Sequence, residues 1–339
     1  MNYLSFPGLG IEPFHIEPQA FSIFGHPVMW YGIIICVGMV LAFIYAMSRA
    51  RFEGIKDDDM VDLGIFVILF GIIGARLYYI LFSLDSFVVK GDFGKTLLNM
   101  VSIWNGGLAI YGAIIAGFIT IVVVSKVKRI RTATLLDVVA PAVLIGQIVG
   151  RWGNFMNSEA YGSETTLPWR MGVLKSFDNG ATFYSETYVH PTFLYESLWN
   201  LIGFILIAIF YKKKKFNGQV FLFYLSWYGF GRMFIEGLRS DSLMLGSIRV
   251  SQIVGAVTFA VGLVLMIVNL LKVKKYESRL ANESVSSLES SADAENSAEN
   301  TADDAYNADA ANASDSAACE PENEPSDTSV GSKEEDSNE

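Results

Sequence analysis

Residues 150–162 read Gly-Arg-Trp-Gly-Asn-Phe-Met-Asn-Ser-Glu-Ala-Tyr-Gly and follow directly on an apolar run that starts at Leu135. An arginine, two asparagines and a glutamate thus emerge where a membrane helix should be ending. Side chains of this kind are costly at that depth and normally face a bundle interior or a wet cavity. A lone interfacial Arg that snorkels to the headgroups needs no company. Arg151 instead arrives with Asn154, Asn157, Glu159 and the glycines at 150, 153 and 162. The chemistry open to such a set is recognition of an anion through paired hydrogen bonds, and a lipid phosphate is the anion at hand.

Other polar groups lie at similar depth in the apolar runs. Arg76 stands in Gly74-Ala75-Arg76-Leu77-Tyr78-Tyr79, and Trp104-Asn105-Gly106-Gly107-Leu108 precedes Tyr111. Arg232 and Glu236 are four apart, on one helix face, with Arg239 a further turn along. Alone, Arg232 and Glu236 read equally well as a buried pair holding two helices together. Tyr31 opens the first apolar run, and His190-Pro191-Thr192-Phe193-Leu194-Tyr195-Glu196 opens the fifth. His190 before Pro191 reads as an N-terminal hydrogen-bonding residue rather than a base. Three arginines (76, 151, 232) and three glutamates (159, 196, 236) at one level make an array whose cost is explained by an anionic ligand.

The elements that must position these residues are membrane helices. The 339-residue chain is 52% hydrophobic, too apolar for an ordinary soluble domain. Seven runs, about 28–48, 60–82, 102–124, 133–150, 192–211, 219–238 and 249–271, approach the roughly 20 residues a bilayer crossing needs. The fourth is short and the sixth carries charges. The fold expected is an all-α polytopic membrane protein of about seven transmembrane helices. A small extracytoplasmic head over residues 151–190 and a disordered acidic cytoplasmic tail over 276–339 complete it. The first 27 residues, free of Lys and Arg and with Pro at 7, 13, 18 and 27, are expected to lie as an amphipathic segment in the interface rather than form a cleavable signal peptide.

Charge sets the orientation. From Tyr276 onward stand 18 acidic and 2 basic residues, against 17 and 23 before it, so the net charge of −10 belongs to the tail. Neither half suggests nucleic-acid binding. Basic residues follow the first, third, fifth and seventh runs: Arg49, Arg51 and Lys56; Lys126, Lys128, Arg129 and Arg131; Lys212, Lys213, Lys214 and Lys215; Lys272, Lys274 and Lys275. The positive-inside rule then places the N-terminus and the segment around Arg151 outside, and the C-terminus in the cytoplasm. Low hydrophobicity and dense charge leave the tail little to bury. Cys36 and Cys319, at opposite ends, give no disulfide expectation, and no His/Cys cluster has metal-ligand spacing.

The pattern Gly150-Arg151-x-Gly153-Asn154-Phe155-Met156-Asn157-x-Glu159-x-x-Gly162 resembles the signature of the prolipoprotein diacylglyceryl transferases. So do, in family order, Trp30-Tyr31-Gly32, Trp104 to Leu108, His190-Pro191 with Leu194-Tyr195-Glu196, and Arg232 with Glu236 and Arg239. The resemblance covers roughly residues 20–272. It implies a seven-helix enzyme of the bacterial plasma membrane, without cofactor or metal. Such an enzyme moves the diacylglyceryl group of phosphatidylglycerol to the lipobox cysteine thiol of a preprolipoprotein, the first step of lipoprotein maturation. The products are a thioether and glycerol phosphate. Arg151 and Arg232 would then meet the phosphate, with Glu236 and Tyr111 in the catalytic set. Tyr31, Arg76, Asn154, Asn157, Glu159, Gly162 and Arg239 would contribute to substrate binding. One departure stands out: some members of the family carry His where this chain has Tyr111. A tyrosine with reference pKa of about 10 is a poor base at neutral pH. A transporter for an anionic lipid would use the same arginines but should open to both sides, whereas these residues gather near one face.

Overall fold

The computed structural model describes residues 2–89, 91–176, 181–240, 244–245 and 248–313. The chain divides into two units, Met1–Val273 and Lys274–Glu339. The first unit holds every residue considered for the site. In the second, the helix that begins at Val250 continues to Ala313, so residues expected to be without structure are helical to that point. Residues 314–339, Cys319 among them, lie outside the described residues.

The chain opens on strands, not on an amphipathic segment. β1 (Asn2–Phe6), β2 (Ile11–His15), β3 (Gln19–Ile23) and β4 (His26–Met29) precede α1 (Trp30–Phe52). α2 (Asp57–Phe82), a short α3 (Phe93–Val101), α4 (Ile110–Val127) and α5 (Thr132–Met156) follow. Next come β5 (Met171–Ser176), β6 (Phe183–Val189), α6 (Thr192–Phe210) and α7 (Gln219–Leu238), then β7 (Met244–Leu245), β8 (Ile248–Arg249) and α8 (Val250–Ala313). Among the described residues, six helices are long and apolar enough to cross a membrane: α1, α2, α4, α5, α6 (counted with its following turn) and the first part of α8. α7, which carries Arg232 and Glu236, is not among the six.

Two boundaries correct the sequence reading. Gly106 and Gly107 both take left-handed φ values, 85° and 81°, so the Trp104-Asn105-Gly106-Gly107 block is a loop and α4 starts only at Ile110. The fourth span is not short. Helix α5 runs on through Arg151 and Asn154 to Met156 and ends at an Asn157 cap, after which Ser158 and Ala160 adopt left-handed conformations.

The fold is also not all-α. β1 and β2 join β5 and β6 in a four-stranded antiparallel sheet of order β2-β1-β5-β6, with Leu4 opposite Val173. Leu4, Ile16, Met171, Val173, Val189 and Phe193 form its apolar core, onto which Phe155 and Met156 of α5 pack. The sheet thus sits at the end of the bundle where α5 stops and α6 begins. The head is built from both ends of a 170-residue separation in sequence, which is why the linker alone did not announce strands.

Helix α1 packs on α5, α2 on α4, and α6 and α7 on α5 and on each other. Small residues set the closest approaches, as is usual where helices meet in lipid. A Cβ added at Gly112 would stand 2.3 Å from the Gly74 carbonyl oxygen, so α4 and α2 touch backbone to backbone. Between α6 and α7 the indoles of Trp199 and Trp227 stack at 4.2 Å. Each Nε1–H donates to the other's backbone carbonyl, at 3.0 and 2.9 Å. Gly231 and Gly203 leave room for the two rings: a Cβ there would come within 2.2 Å of Trp199 and 2.4 Å of Trp227 respectively.

The end of the bundle away from the head is tied by charge. Asp137 of α5, with no exposed surface, accepts from the amides of Gly218 at 2.8 Å and Phe221 at 2.9 Å. A carboxylate thereby meets orphan N–H groups at the N-terminus of α7 and its positive dipole end. Lys214 bridges Asp137, at 3.0 Å, to Glu53 after α1, at 2.8 Å. Nearby, Lys128 pairs with Asp59 at 2.9 Å and Asp62 at 2.5 Å. These two carboxylates, Asp62 first, hold its ammonium well above the usual lysine range.

Candidate active site

The last two turns of α5 set the first guanidinium. Arg151 and Asn154 are one helical turn apart, and Arg151 Nη1 donates to Asn154 Oδ1 at 3.1 Å. Past the helix end, the left-handed turn brings Glu159 back. Its Oε1 accepts from Asn154 Nδ2 at 3.1 Å and from Asn157 Nδ2 at 3.3 Å. Glu159 therefore holds the two asparagines, and reaches Arg151 only through Asn154. The Tyr31 ring, one residue into α1, lies against Gly153, where a Cβ would be 2.8 Å from Tyr31 Cδ2. The motif glycine at 153 thus admits the Tyr31 ring next to the Arg151 turn.

The second guanidinium comes from α7. Arg232 Nη2 pairs with Glu236 Oε2 one turn along, at 2.7 Å, and its Nη1 pairs with Glu196 Oε1, also at 2.7 Å. The other oxygen of Glu196 pairs with Arg151 Nη2. One carboxylate from α6 therefore joins the arginines of α5 and α7. Glu196 is 4% exposed and Glu236 2%, so all three ion pairs are removed from bulk water. The more distant Arg239 reaches Glu236 Oε2 at 3.9 Å. The Trp199–Trp227 exchange fixes the register of α6 on α7 and so brings Glu196 opposite Arg232. Glu196, Asn200, Tyr228 and Arg232 line a small cavity between these two helices.

Glu196 is the residue that sequence reasoning undervalued. It figured there only as one of three glutamates, while Glu236 was placed in the catalytic set and Glu159 among the substrate-binding residues. The signal available was a carboxylate four residues into an otherwise apolar helix, and nothing in sequence says which arginine it meets.

The loop after α5 is stitched down. The Gly162 amide donates to the His190 carbonyl at 2.9 Å, Ser163 N donates to Leu238 O at 2.7 Å, and Gly162 pairs with Arg239 as an isolated bridge. A Cβ at Gly162 would meet His190 Cβ at 2.6 Å, so only glycine lets the loop close on α7. Arg249 then caps the end of α7, donating to Gly237 O at 2.7 Å and Arg239 O at 3.0 Å. His190 does not cap α6 with its ring. Its Nδ1 lies 3.2 Å from the Tyr195 hydroxyl, which also accepts from Trp169 Nε1 at 2.7 Å. Burial lowers the His190 pKa from its ordinary value, which favours the neutral imidazole at neutral pH.

Tyr111, one residue into α4, has its hydroxyl 3.1 Å from Ser251 Oγ, one residue into α8. It lies within electrostatic reach of Arg232. Hydrogen bonds and ion pairs thus link Arg151, Asn154, Asn157, Glu159, Arg232, Glu236 and Arg239 through Glu196, whereas Tyr111 bonds to Ser251 and Arg76 stands apart.

Arg76 is a correction. All five of its N–H groups go to backbone carbonyls: Nε to Met100 at 2.8 Å, Nη1 to Gly106 and Gly107 at 2.6 and 2.9 Å, Nη2 to Asn99 and Ser102 at 2.7 and 3.0 Å. Its guanidinium lies over the Phe87 ring at 4.9 Å. Arg76 ties the α3–α4 loop down and has no N–H left for a phosphate. Replacing it with Lys, which offers three donors in another geometry, is expected to cost about 3 kcal/mol or more, since buried carbonyls lose their partners. The midpoint of thermal unfolding in detergent measures this; an unchanged midpoint would remove the anchoring role.

Comparison with known proteins places the chain in a family. A model of the prolipoprotein diacylglyceryl transferase family matches residues 18–268. The chain is 44% identical over 266 residues to the phosphatidylglycerol–prolipoprotein diacylglyceryl transferase of Listeria welshimeri, covering 78% of this chain and 93% of that one. It is 43% identical over 253 residues to the enzyme of the same name from Finegoldia magna, covering 74% and 95%. The match to that of Ligilactobacillus salivarius is 44% over 251 residues, 72% and 90%. The matched stretch contains the α5 motif, Glu196, and the Arg232–Glu236 turn together. By the extent and agreement of these matches, the chain belongs to the prolipoprotein diacylglyceryl transferase family.

Proposed function

We propose that this transferase takes the diacylglyceryl group from phosphatidylglycerol and attaches it to the lipobox cysteine thiol of a preprolipoprotein. Seven helices cross the plasma membrane, and the site and head face the outside. The observation that carries the reading is the single buried carboxylate of Glu196 holding the Arg151 and Arg232 guanidinium groups together. Each of these groups has five N–H donors, and the ion pairs described use only some of them.

In the reaction the thiol sulfur bonds to the glyceryl carbon as that carbon's bond to the phosphate oxygen breaks. Negative charge collects on the departing phosphate. Paired guanidinium groups in a water-poor, preorganised site stabilise that charge without reorganising. Glu196, Glu236 and Asn154 supply the preorganisation, because they fix the arginines before substrate arrives. The Asn157 Oδ1 atom is buried and accepts no hydrogen bond among the described residues, so it suits a headgroup hydroxyl donor. The nucleophile comes with the acceptor peptide. A thiol of pKa about 8.5 is already partly ionised near neutrality, and adjacent arginines increase that fraction.

The test uses purified protein in detergent, phosphatidylglycerol and a lipobox peptide, with mass spectrometry of the peptide. A diacylglyceryl mass on the cysteine peptide, absent from a Cys→Ser peptide, is the expected result. No adduct from folded protein that binds both substrates would overturn the reading.

A further inference from the structure

The hydroxyl pair of Tyr111 and Ser251 joins two helices 140 residues apart in sequence, at 3.1 Å. Both residues sit second in their helices, α4 and α8, and both are half-buried. The Tyr78 ring, tilted at 42° with its centroid 6.4 Å away, borders the Tyr111 ring. Tyr111 is also in electrostatic reach of Arg232. A phenol, with a reference pKa of about 10, is a poor base at neutral pH. It is well placed to pass a proton without ionising.

We infer that Ser251 is a positioning residue for the transfer reaction: it donates to the Tyr111 hydroxyl and so leaves that hydroxyl free to relay the acceptor thiol's proton to the departing phosphate. The inference rests on the transferase reading above. A tyrosine hydroxyl has one proton and two lone pairs. With Ser251 donating to one lone pair, the second accepts the thiol proton while the phenolic proton goes to the phosphate oxygen. The sulfur–carbon bond forms, the carbon–oxygen bond breaks, and glycerol phosphate leaves carrying the proton. No external base is consumed, and tyrosine ends as it began. Nothing in the sequence of either helix alone suggests Ser251, because its partner lies across the bundle.

The experiment compares steady-state transfer to a lipobox peptide for the parent protein, Ser251→Ala, Ser251→Thr, Tyr111→Phe and the Ser251→Ala/Tyr111→Phe double variant. Removing a positioned proton-transfer group costs about 10²-fold or more in kcat, which is expected for Tyr111→Phe. Ser251→Ala is expected to lower kcat about tenfold, with KM for phosphatidylglycerol within about twofold, because the lost contact matters only as the proton moves. Threonine, which keeps the hydroxyl, should restore most of the rate. The double variant should be no slower than Tyr111→Phe alone, since Ser251 acts through Tyr111. Parental kcat in Ser251→Ala, multiplied effects in the double variant, or a threonine variant as slow as alanine would each overturn the proposal while leaving the transferase reading intact. Absence of transfer by the parent protein would overturn both. Should Ser251→Ala fail to fold, Ser251→Thr with and without Tyr111→Phe decides the matter: threonine must stay near the parental rate.

Discussion

Arg151→Ala is expected to lower kcat for diacylglyceryl transfer by about 10²–10³-fold, the loss typical when one preorganised donor to a developing anion is removed. The effect should fall on kcat more than on KM, because the phosphate gains charge only as the carbon–oxygen bond breaks. Arg151→Lys should recover little. Arg151 uses one nitrogen on Asn154 and another on Glu196, and an ammonium cannot hold that fork while also facing a phosphate. Alanine at 151 leaves Glu196 with Arg232 as a single partner, so the arginine of α7 should stay in place and the protein should stay folded. Initial rates of peptide lipidation at saturating phosphatidylglycerol, with thermal unfolding recorded in parallel, check the prediction. A stable alanine variant within threefold of the parent would remove Arg151 from the transition state.

The second large effect lies at the other end of the bundle and concerns stability. Asp137→Ala removes the carboxylate that serves Lys214 and two amides at the start of α7. Breaking a buried pair from one side typically costs 3–5 kcal/mol, roughly the range expected here, because Lys214 keeps only Glu53 and the two amides lose their acceptor. Asp137→Asn, which keeps an acceptor oxygen for one amide, should lose less. The loss should appear as a lowered unfolding midpoint in detergent, and as reduced yield from the membrane, with kcat per folded molecule unchanged. A midpoint within 2 °C of the parent would show that the amides find other acceptors.

These two sites also show where sequence was informative. Helix positions were legible because apolar runs of helical length leave little else for the chain to do in a bilayer. The end of α5 was not, since Arg151 and Asn154 look like the close of a span when they are the polar last turns of the same helix. The N-terminal strands were hidden for a different reason. Their partner, β5, lies some 170 residues on, and pairing at that distance leaves no local signature. At the site, the arginines and asparagines stood out by being polar in apolar company, whereas their partnerships did not. Arg76 carried the same signal as Arg151, yet spends all its donors on the end of α3 and the loop before α4. The distinction depends on the left-handed turns at Gly106 and Gly107, which aim two carbonyls at it. Glu196 was visible as a residue but not as the bridge, because bridging depends on the register of α6 against α7.

That register is held by four uncharged positions: 199 and 227, whose indoles exchange hydrogen bonds with the opposite backbone, and 203 and 231, whose missing side chains make room for them. Each glycine is read by the tryptophan on the other helix, so neither helix can drift in sequence alone. A methyl group at 203 must be answered by a smaller residue at 227, and one at 231 by a smaller residue at 199. Divergent relatives are therefore expected to keep or replace these four as a set. The pairing of Glu196 with Arg232 is thus inherited through residues that take no part in the ion pairs themselves.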